Sequence, residues 1–345
     1  MKAGVLLSVN EMRYTTIPDP KLEAGDMLLK VKAATVCGTD IRIFRGKKTT
    51  GIRYPSVMGH EFAGVVEQTG GNTQFSIGQS VCVCPQFACG HCEYCVRGAE
   101  NLCRNMMAMG YEVDGAFAEY VRIPAFGVKS GNVFAVPEGL SFEEAALAEP
   151  LACVMNGQER VGVKMGDTIA ILGAGPIGIL HIKLARLSGS RKIIVSELNP
   201  IRREAALKAG ADIAIDPSAE DLFARVKSET DGLGVDIAIV AIGVPALAND
   251  ALHLVCHRGR VSLFAGFSKG QQAELDVNAI HYNELVVTGS FGLTRLLFGR
   301  ALSMIASGQL EMKSLLTHRF ALSDIKLALD TAEQGSAIKV AVLND

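Results

Sequence analysis

A chain of 345 residues, 49% hydrophobic and 20% charged, carries enough apolar material for a large core, and its length points to two domains. A formal charge of −2 with a pI near 6.4 gives no electrostatic pull toward nucleic acid, so no nucleic-acid partner is expected. The opening apolar run Val5-Leu6-Leu7 is too short for a secretory signal, and no run approaches the ~18 residues that cross a bilayer; no membrane partner and a cytoplasmic, reducing location are the expectations. Nine cysteines, an odd count, suit metal ligation and buried thiols better than a disulfide framework.

Up to about residue 145 the chain reads as β-rich, with short alternating runs broken by Gly and Pro. The clearest strands are 26–37, 59–70, 79–85 and 115–124. Between the first two lies DIRIFRGKKTTGIRYP, where Arg42, Arg45, Lys47, Lys48 and Arg53 read as a solvated loop; a mouth receiving phosphate or carboxylate is the alternative.

The segment CGHCEYCVRGAENLC then brings Cys89, Cys92, Cys95 and Cys103 together. Four thiolates close a tetrahedral site and leave no position for a substrate, so this spacing is that of a structural metal. A redox pair would sit in a βαβ unit near a helix start, whereas this is a Gly- and charge-rich loop. His91 within it reads as a solvated spectator, and Cys82 and Cys84 upstream as packing residues.

From Gly166 the texture changes. DTIAILGAG, KIIVSELN, ADIAIDP, VDIAIVAIG, GRVSLFAGF and ELVVTGSFG are apolar runs alternating with helical segments, which a parallel sheet buried on both faces requires. This is a doubly wound α/β unit. At its first strand, ILGAGPIG supplies Gly173, Gly175 and Gly178 as G-x-G-x-x-G between strand and helix, with Pro176 and Ile177 opening the helix. Such a turn lets backbone amides and the helix dipole receive a pyrophosphate. Glu197 ends the next strand, where a carboxylate accepts both ribose hydroxyls of NAD and repels the extra phosphate of NADP. Arg202, five residues on, either covers the adenine or is a solvated helix charge. Past residue 293 come two helices and a last strand, AIKVAVL, which either caps this sheet or returns to the first domain.

Cys37 in TVCGTD, His60 and Glu61 in VMGHEFAG, and Glu149 in LAEPLA offer thiolate, imidazole and carboxylate donors, a set that holds Zn²⁺ with a fourth position open. Spacing alone does not join them.

Taken together and in order, CGTD, GHEFAG, the C-x2-C-x2-C-x7-C segment, AEP and GAGPIG resemble the zinc-containing medium-chain dehydrogenases over essentially the whole chain. Glu61 and Glu149 are similar to those of the sorbitol (polyol) and threonine dehydrogenase branch. The resemblance implies an α/β protein with a GroES-like β-barrel catalytic domain (1–148), a Rossmann NAD-binding domain with a doubly wound parallel sheet (149–290), and a C-terminal return to the catalytic domain (291–345). It implies a catalytic zinc on Cys37, His60 and Glu61 or Glu149, a structural zinc on the four-cysteine loop, and NAD. Thr39 resembles the hydroxyl that relays the proton from the reacting oxygen; position 42, where liver-type enzymes often carry histidine, is Arg42. The implied activity is oxidation of a secondary alcohol of a polyol or sugar alcohol to a ketone, with a homodimer or homotetramer as the assembly. An anionic alcohol such as a sugar phosphate, a sugar acid or threonine is the runner-up. A zinc-free quinone or enoyl reductase would share the fold but have no use for these donors, and a zinc-containing binding module would leave GAGPIG and Glu197 unexplained.

Overall fold

A computed structural model describes residues 1–71, 73–268 and 270–344; positions 72, 269 and 345 of the expected domains lie outside the described residues. The chain divides into two compact units. One is Met1–Ala152 together with Leu293–Asp345, and the other is Cys153–Gly292.

The first unit is built on a seven-stranded sheet. Its path runs Val133–Ala135, Ser80–Val83, Glu61–Thr69, Met27–Thr35, Lys339–Leu343 and Leu316–Ala321. Strand Met27–Thr35 is central, and one of its edges is divided. Met27 to Lys30 pair with Tyr120–Ile123, whereas Ala33 to Thr35 pair with the C-terminal strand Lys339–Leu343. Its burial is nearly continuous, so the strand is a core element. Around it Phe44, Met58, Phe62, Phe87 and Phe117 are sealed from solvent, each burial contributing about 1.5–3 kcal/mol. A three-stranded sheet (Glu11–Thr16, Lys2–Ser8, Ser56–Val57) completes this body, and a two-stranded pair, Gln86–Phe87 with Met107–Ala108, brackets the cysteine segment.

Of the residues 115–124 expected as a strand, only Tyr120–Ile123 is one. Residues 115 to 117 spend their amides elsewhere, on the carbonyls of Val57, Gly59 and Met58, and the Phe117 carbonyl accepts from Gly4. The C-terminal segment returns to this unit instead of capping the other sheet.

The second unit is a six-stranded, all-parallel sheet in the order Ile213–Ile215, Lys192–Ser196, Thr168–Leu172, Val235–Val240, Val255–Leu263, Val286–Gly289. All six expected runs are in it. The two innermost strands, Thr168–Leu172 and Val235–Val240, are buried along their length, and the strand order reverses between them at the switch point where doubly wound sheets bind ligands. No helix among the described residues is long and apolar enough to cross a membrane.

Candidate active site and metal centres

Cys37 follows the central strand and stands at the N-cap of helix Gly38–Phe44. Its backbone N–H donates to Asp40 Oδ2 at 2.8 Å, which fixes the turn and holds Asp40, itself fully buried, beneath the site. Asp40 Oδ1 is 3.3 Å from His60 Nδ1. A carboxylate behind an imidazole orients the ring and raises its basicity as a ligand. The sharp entry to His60 depends on Gly59, whose φ is +97° and where a Cβ would come within 2.9 Å of the Phe117 ring.

Glu61 opens strand Glu61–Thr69 in register with Thr35, so the two side chains share a face, and the Thr35 hydroxyl donates to Glu61 Oε2. Lys339 arrives on the same face from the C-terminal strand. Its Nζ lies 2.8 Å from Glu61 Oε1 and 2.5 Å from Oε2, and neither side chain is more than 3% exposed.

The ligand atoms of Cys37, His60 and Glu61 lie within 4.8 Å of one another. One ion bonded at about 2.0–2.3 Å can span such a set with little adjustment. The electrostatics ask for a cation. Burial works against a charged His60, yet Tyr111, Asp40 and Cys37 together hold its pKa well above the ordinary value. Burial likewise opposes a charged Lys339, and Glu61, Cys37 and Glu149 more than offset it. Glu149, in helix Ala148–Val161, is buried outside the three-residue cluster; its charge reaches Tyr111 and Lys339. Thr39 is half-buried in the first turn of helix Gly38–Phe44. The Tyr111 ring packs 5.4 Å from that of His60, centroid to centroid, and burial pushes its phenol pKa up.

The second cluster is closed. Sγ–Sγ distances are 4.0 Å for Cys89–Cys95, 3.5 Å for Cys92–Cys95 and 3.9 Å for Cys92–Cys103. A tetrahedron of sulfurs about 2.3 Å from zinc has edges of about 3.8 Å, so the four thiols already outline the coordination shell. Backbone amides support it: Cys89 and Asn105 N–H point at Cys103 Sγ at 3.2 and 3.4 Å. Those of residues 95 and 104 bring the Cys92 thiol down to about 6, whereas burial and the neighbouring thiols push Cys95 up to about 12. Four sulfurs so placed could all ionise with a cation among them. His91 turns away, its Nδ1 2.9 Å from the Cys89 carbonyl. Glu100 anchors the segment through a two-pronged ion pair to Arg295, which lowers the Glu100 pKa.

In the other unit, Gly173 leaves strand Thr168–Leu172 with φ +99°, Gly175 caps helix Pro176–Leu187, and Pro176 begins it; Ile177 follows in its first turn. Gly178 is obligatory, because a Cβ there would lie 2.0 Å from the Gly173 carbonyl oxygen. Glu197 is nearly buried, its Oε2 accepting from Ala174 N–H at 2.8 Å and its Oε1 from Asn199 N–H at 2.9 Å. The carboxylate is thereby locked against the glycine turn. Asn199 caps helix Pro200–Lys208, which directs Arg202 back so that its Nη1 comes within 4.0 Å of the place a Gly175 Cβ would occupy.

Asp40, Thr35, Tyr111 and Lys339 were not anticipated as site residues. Asp40 is legible as the last residue of CGTD, and Lys339 as a lone charge in the apolar AIKVAVL; nothing in the sequence marks Tyr111. The loop from Arg42 to Arg53 is not simply solvated: Arg45 pairs with Glu333 and Asp330, and Arg53 with Asp114.

One chain thus holds a three-donor cluster, a four-thiol cluster and a glycine turn between strand and helix. The alcohol dehydrogenase GroES-like domain family matches residues 23–133, and the zinc-binding dehydrogenase family matches residues 176–307. The sorbitol dehydrogenase of Bacillus subtilis (strain 168) is 33% identical over 338 residues, covering 97% of this chain and 94% of its own. An L-threonine 3-dehydrogenase of Pyrococcus furiosus is 36% identical over 307 residues, 87% and 86% of the two chains. A zinc-binding dehydrogenase of Sinorhizobium meliloti 1021, solved bound to NADP, superposes with a TM-score of 0.91 at 32% identity over 99% of both chains. The chain belongs to the zinc-dependent medium-chain alcohol dehydrogenase family, with a GroES-like and a Rossmann domain. It is an oxidoreductase with zinc and a nicotinamide dinucleotide as cofactors and a small-molecule alcohol as substrate.

Proposed function

We propose that this protein oxidises a secondary alcohol of a polyol or sugar alcohol to the ketone, passing the hydride to NAD. The observation that carries the reading is the thiol, imidazole and carboxylate of Cys37, His60 and Glu61 gathered within 4.8 Å, a donor set that leaves a position open. Relatives are named sorbitol dehydrogenase and L-threonine 3-dehydrogenase, and the hydroxyl at position 3 of threonine is a secondary alcohol, which supports the reaction class.

When bound, zinc supplies the Lewis acidity that lowers the pKa of a hydroxyl, and the nicotinamide accepts the hydride. Cys37, His60 and one of the two glutamates, Glu61 or Glu149, would hold the catalytic metal, and Cys89, Cys92, Cys95 and Cys103 the structural one. Asp40 keeps His60 in the ligating orientation. Lys339 and Thr35 fix both oxygens of Glu61 and offset its charge. Thr39, two residues after Cys37, takes the proton from the substrate hydroxyl and passes it outward. Gly173, Gly175 and Gly178 with the amides of Pro176-Ile177-Gly178's turn receive the pyrophosphate, Pro176 itself lacking an N–H; Glu197 accepts from the ribose hydroxyls and Arg202 lies over the adenine side. One structural neighbour was solved with NADP and another with NADH, so the choice of NAD proposed here rests on Glu197.

We assign the catalytic role to the unit of Met1–Ala152 and Leu293–Asp345, and NAD binding to Cys153–Gly292; the expected boundaries at 148/149 and 290/291 shift by a few residues, which leaves Glu149 with the catalytic unit. The assembly proposed is a homodimer or homotetramer: Val286–Gly289 is the outer strand of its sheet, with Val286, Tyr282 and Phe291 exposed near it. A cytoplasmic location suits nine cysteines of which none is in a disulfide. Zinc analysis and NADH formation across a panel of polyols at alkaline pH test the reading. About two zinc ions per chain and turnover of a secondary alcohol are expected; a metal-free, inactive chain overturns it.

A further inference from the structure

Two of the five basic residues between Asp40 and Tyr54 are neutralised within the fold, Arg45 by Glu333 and Asp330 and Arg53 by Asp114. Lys48 is different. Its Nζ lies 5.0 Å from the centroid of the Tyr111 ring, and that ring lies 5.4 Å from the ring of His60, so the ammonium is one aromatic ring away from the open metal cluster. Among the described residues no carboxylate pairs with it. Glu112 acts on Lys48 as a nearby charge without forming an ion pair with it, and its Oε2 also accepts from the Ala108 N–H at 3.0 Å. Arg42 adds repulsion from a second positive charge. Burial is the larger effect, and with Arg42 it outweighs Glu112 and lowers the Lys48 pKa.

A cation partly withdrawn from water, beside a like charge and without an ion-pair partner, is a costly arrangement that an arriving anion relieves. The Tyr111 face adds attraction for the ammonium without neutralising it. A solvated lysine would have none of these features.

We propose that Lys48 is a specificity-determining residue, holding a carboxylate or phosphate carried by the alcohol whose hydroxyl meets the Cys37–His60–Glu61 cluster. The preferred substrate is then an anionic polyol, of the sugar-acid or sugar-phosphate kind, in place of a neutral one. This rests on the proposed polyol oxidation and narrows it.

The zinc-loaded enzyme with NAD is assayed on sorbitol, gluconate and sorbitol 6-phosphate, as wild type, Lys48→Gln and Lys48→Arg. At least one anion should exceed sorbitol in kcat/KM, and the two anions distinguish carboxylate from phosphate. Lys48→Gln should cut that anion-to-sorbitol ratio by about 10- to 100-fold, chiefly through KM, the scale of a charge-assisted hydrogen bond. Lys48→Arg should keep most of it. Raising salt should shrink the ratio in the wild type more than in Lys48→Gln. Calorimetric titration of the same three compounds gives the parallel ratio of Kd values without requiring turnover, so failure of the oxidation reading and failure of the Lys48 reading are separable. Equal ratios in wild type and Lys48→Gln, sorbitol preferred over both anions, or binding of neither anion would each overturn the assignment.

Discussion

Lys339 and Glu61 face each other in the interior of the first unit, Nζ to carboxylate oxygens at 2.8 and 2.5 Å, 278 residues apart in sequence. A buried pair of this kind adds little net stability, but breaking it strands a charge, at a cost of about 3–5 kcal/mol. Lys339→Met should therefore lower the melting temperature by several degrees and reduce zinc retention. Adding Glu61→Gln to it should recover part of the melting temperature while activity stays low. Calorimetry on the single and double variants reads this; a double variant no more stable than the single would deny that the stranded carboxylate is the cause.

Cofactor choice follows from the locked Glu197. Both its oxygens accept backbone N–H bonds while keeping lone pairs for a ribose. Wild type should prefer NAD to NADP in kcat/KM, and Glu197→Ser should narrow the preference. Preference for NADP by the wild type would refute the role given to Glu197.

The two metal clusters should respond oppositely to loss of a thiol. Cys37→Ser is expected to give a folded, NAD-binding chain with about one zinc and little activity. Cys95→Ser should mainly lower the melting temperature and solubility, since a closed thiolate site organises its loop through the binding free energy of the metal, ~10 kcal/mol or more in small peptides. Zinc content, melting temperature and activity on both variants make the comparison, and a fully stable but inactive Cys95→Ser would reverse the assignment.

Gly178 admits no side chain, because a Cβ would sit 2.0 Å from the Gly173 carbonyl oxygen. Gly178→Ala should push the turn away from the helix, raising the Kd for NAD at least about tenfold, the equivalent of 1.4 kcal/mol. Fluorescence titration of NADH reports it, and an unchanged Kd would mean that this turn does not carry the pyrophosphate.

His181 sets a pH dependence of stability. It is fully buried in helix Pro176–Leu187, its Nδ1 3.3 Å from Gln158 Nε2 and its ring edge-on to Phe264, and burial pushes its pKa down to about 3. The unfolded chain takes up a proton near pH 6.5 that the folded chain refuses. Stability should consequently be unaffected by this group above about pH 6.5 and fall by up to about 1.4 kcal/mol per unit as the pH drops from there toward 3. Denaturant titrations between pH 4 and 7 should show a shallower slope for His181→Gln than for wild type.

The sequence displayed the six strands of the parallel sheet because each is an unbroken apolar run, and the glycine turn because its spacing is a steric requirement. The cysteine cluster was legible because its ligands are local. Relations across hundreds of residues were not. Arg45 looked like a loop charge because its partners Asp330 and Glu333 lie 285 and 288 residues away, and Lys339 looked like an anomaly in a strand for the same reason. Tyr111 and Lys48 meet only because tertiary folding brings the segment after helix Gly38–Phe44 beside the one after strand Met107–Ala108, which no local pattern records.

The return of the C-terminal strand also fixes an order of events. Cys153–Gly292 is continuous in the chain and can fold as it is synthesised, whereas the sheet containing Glu61 stays incomplete until Lys339–Leu343 has been made and docked on Ala33 to Thr35. Until then the carboxylate beside Cys37 and His60 lacks its lysine. The Lys339 partner of a charged Glu61 is made only after Cys153–Gly292, so completion of this candidate site follows synthesis of the other unit.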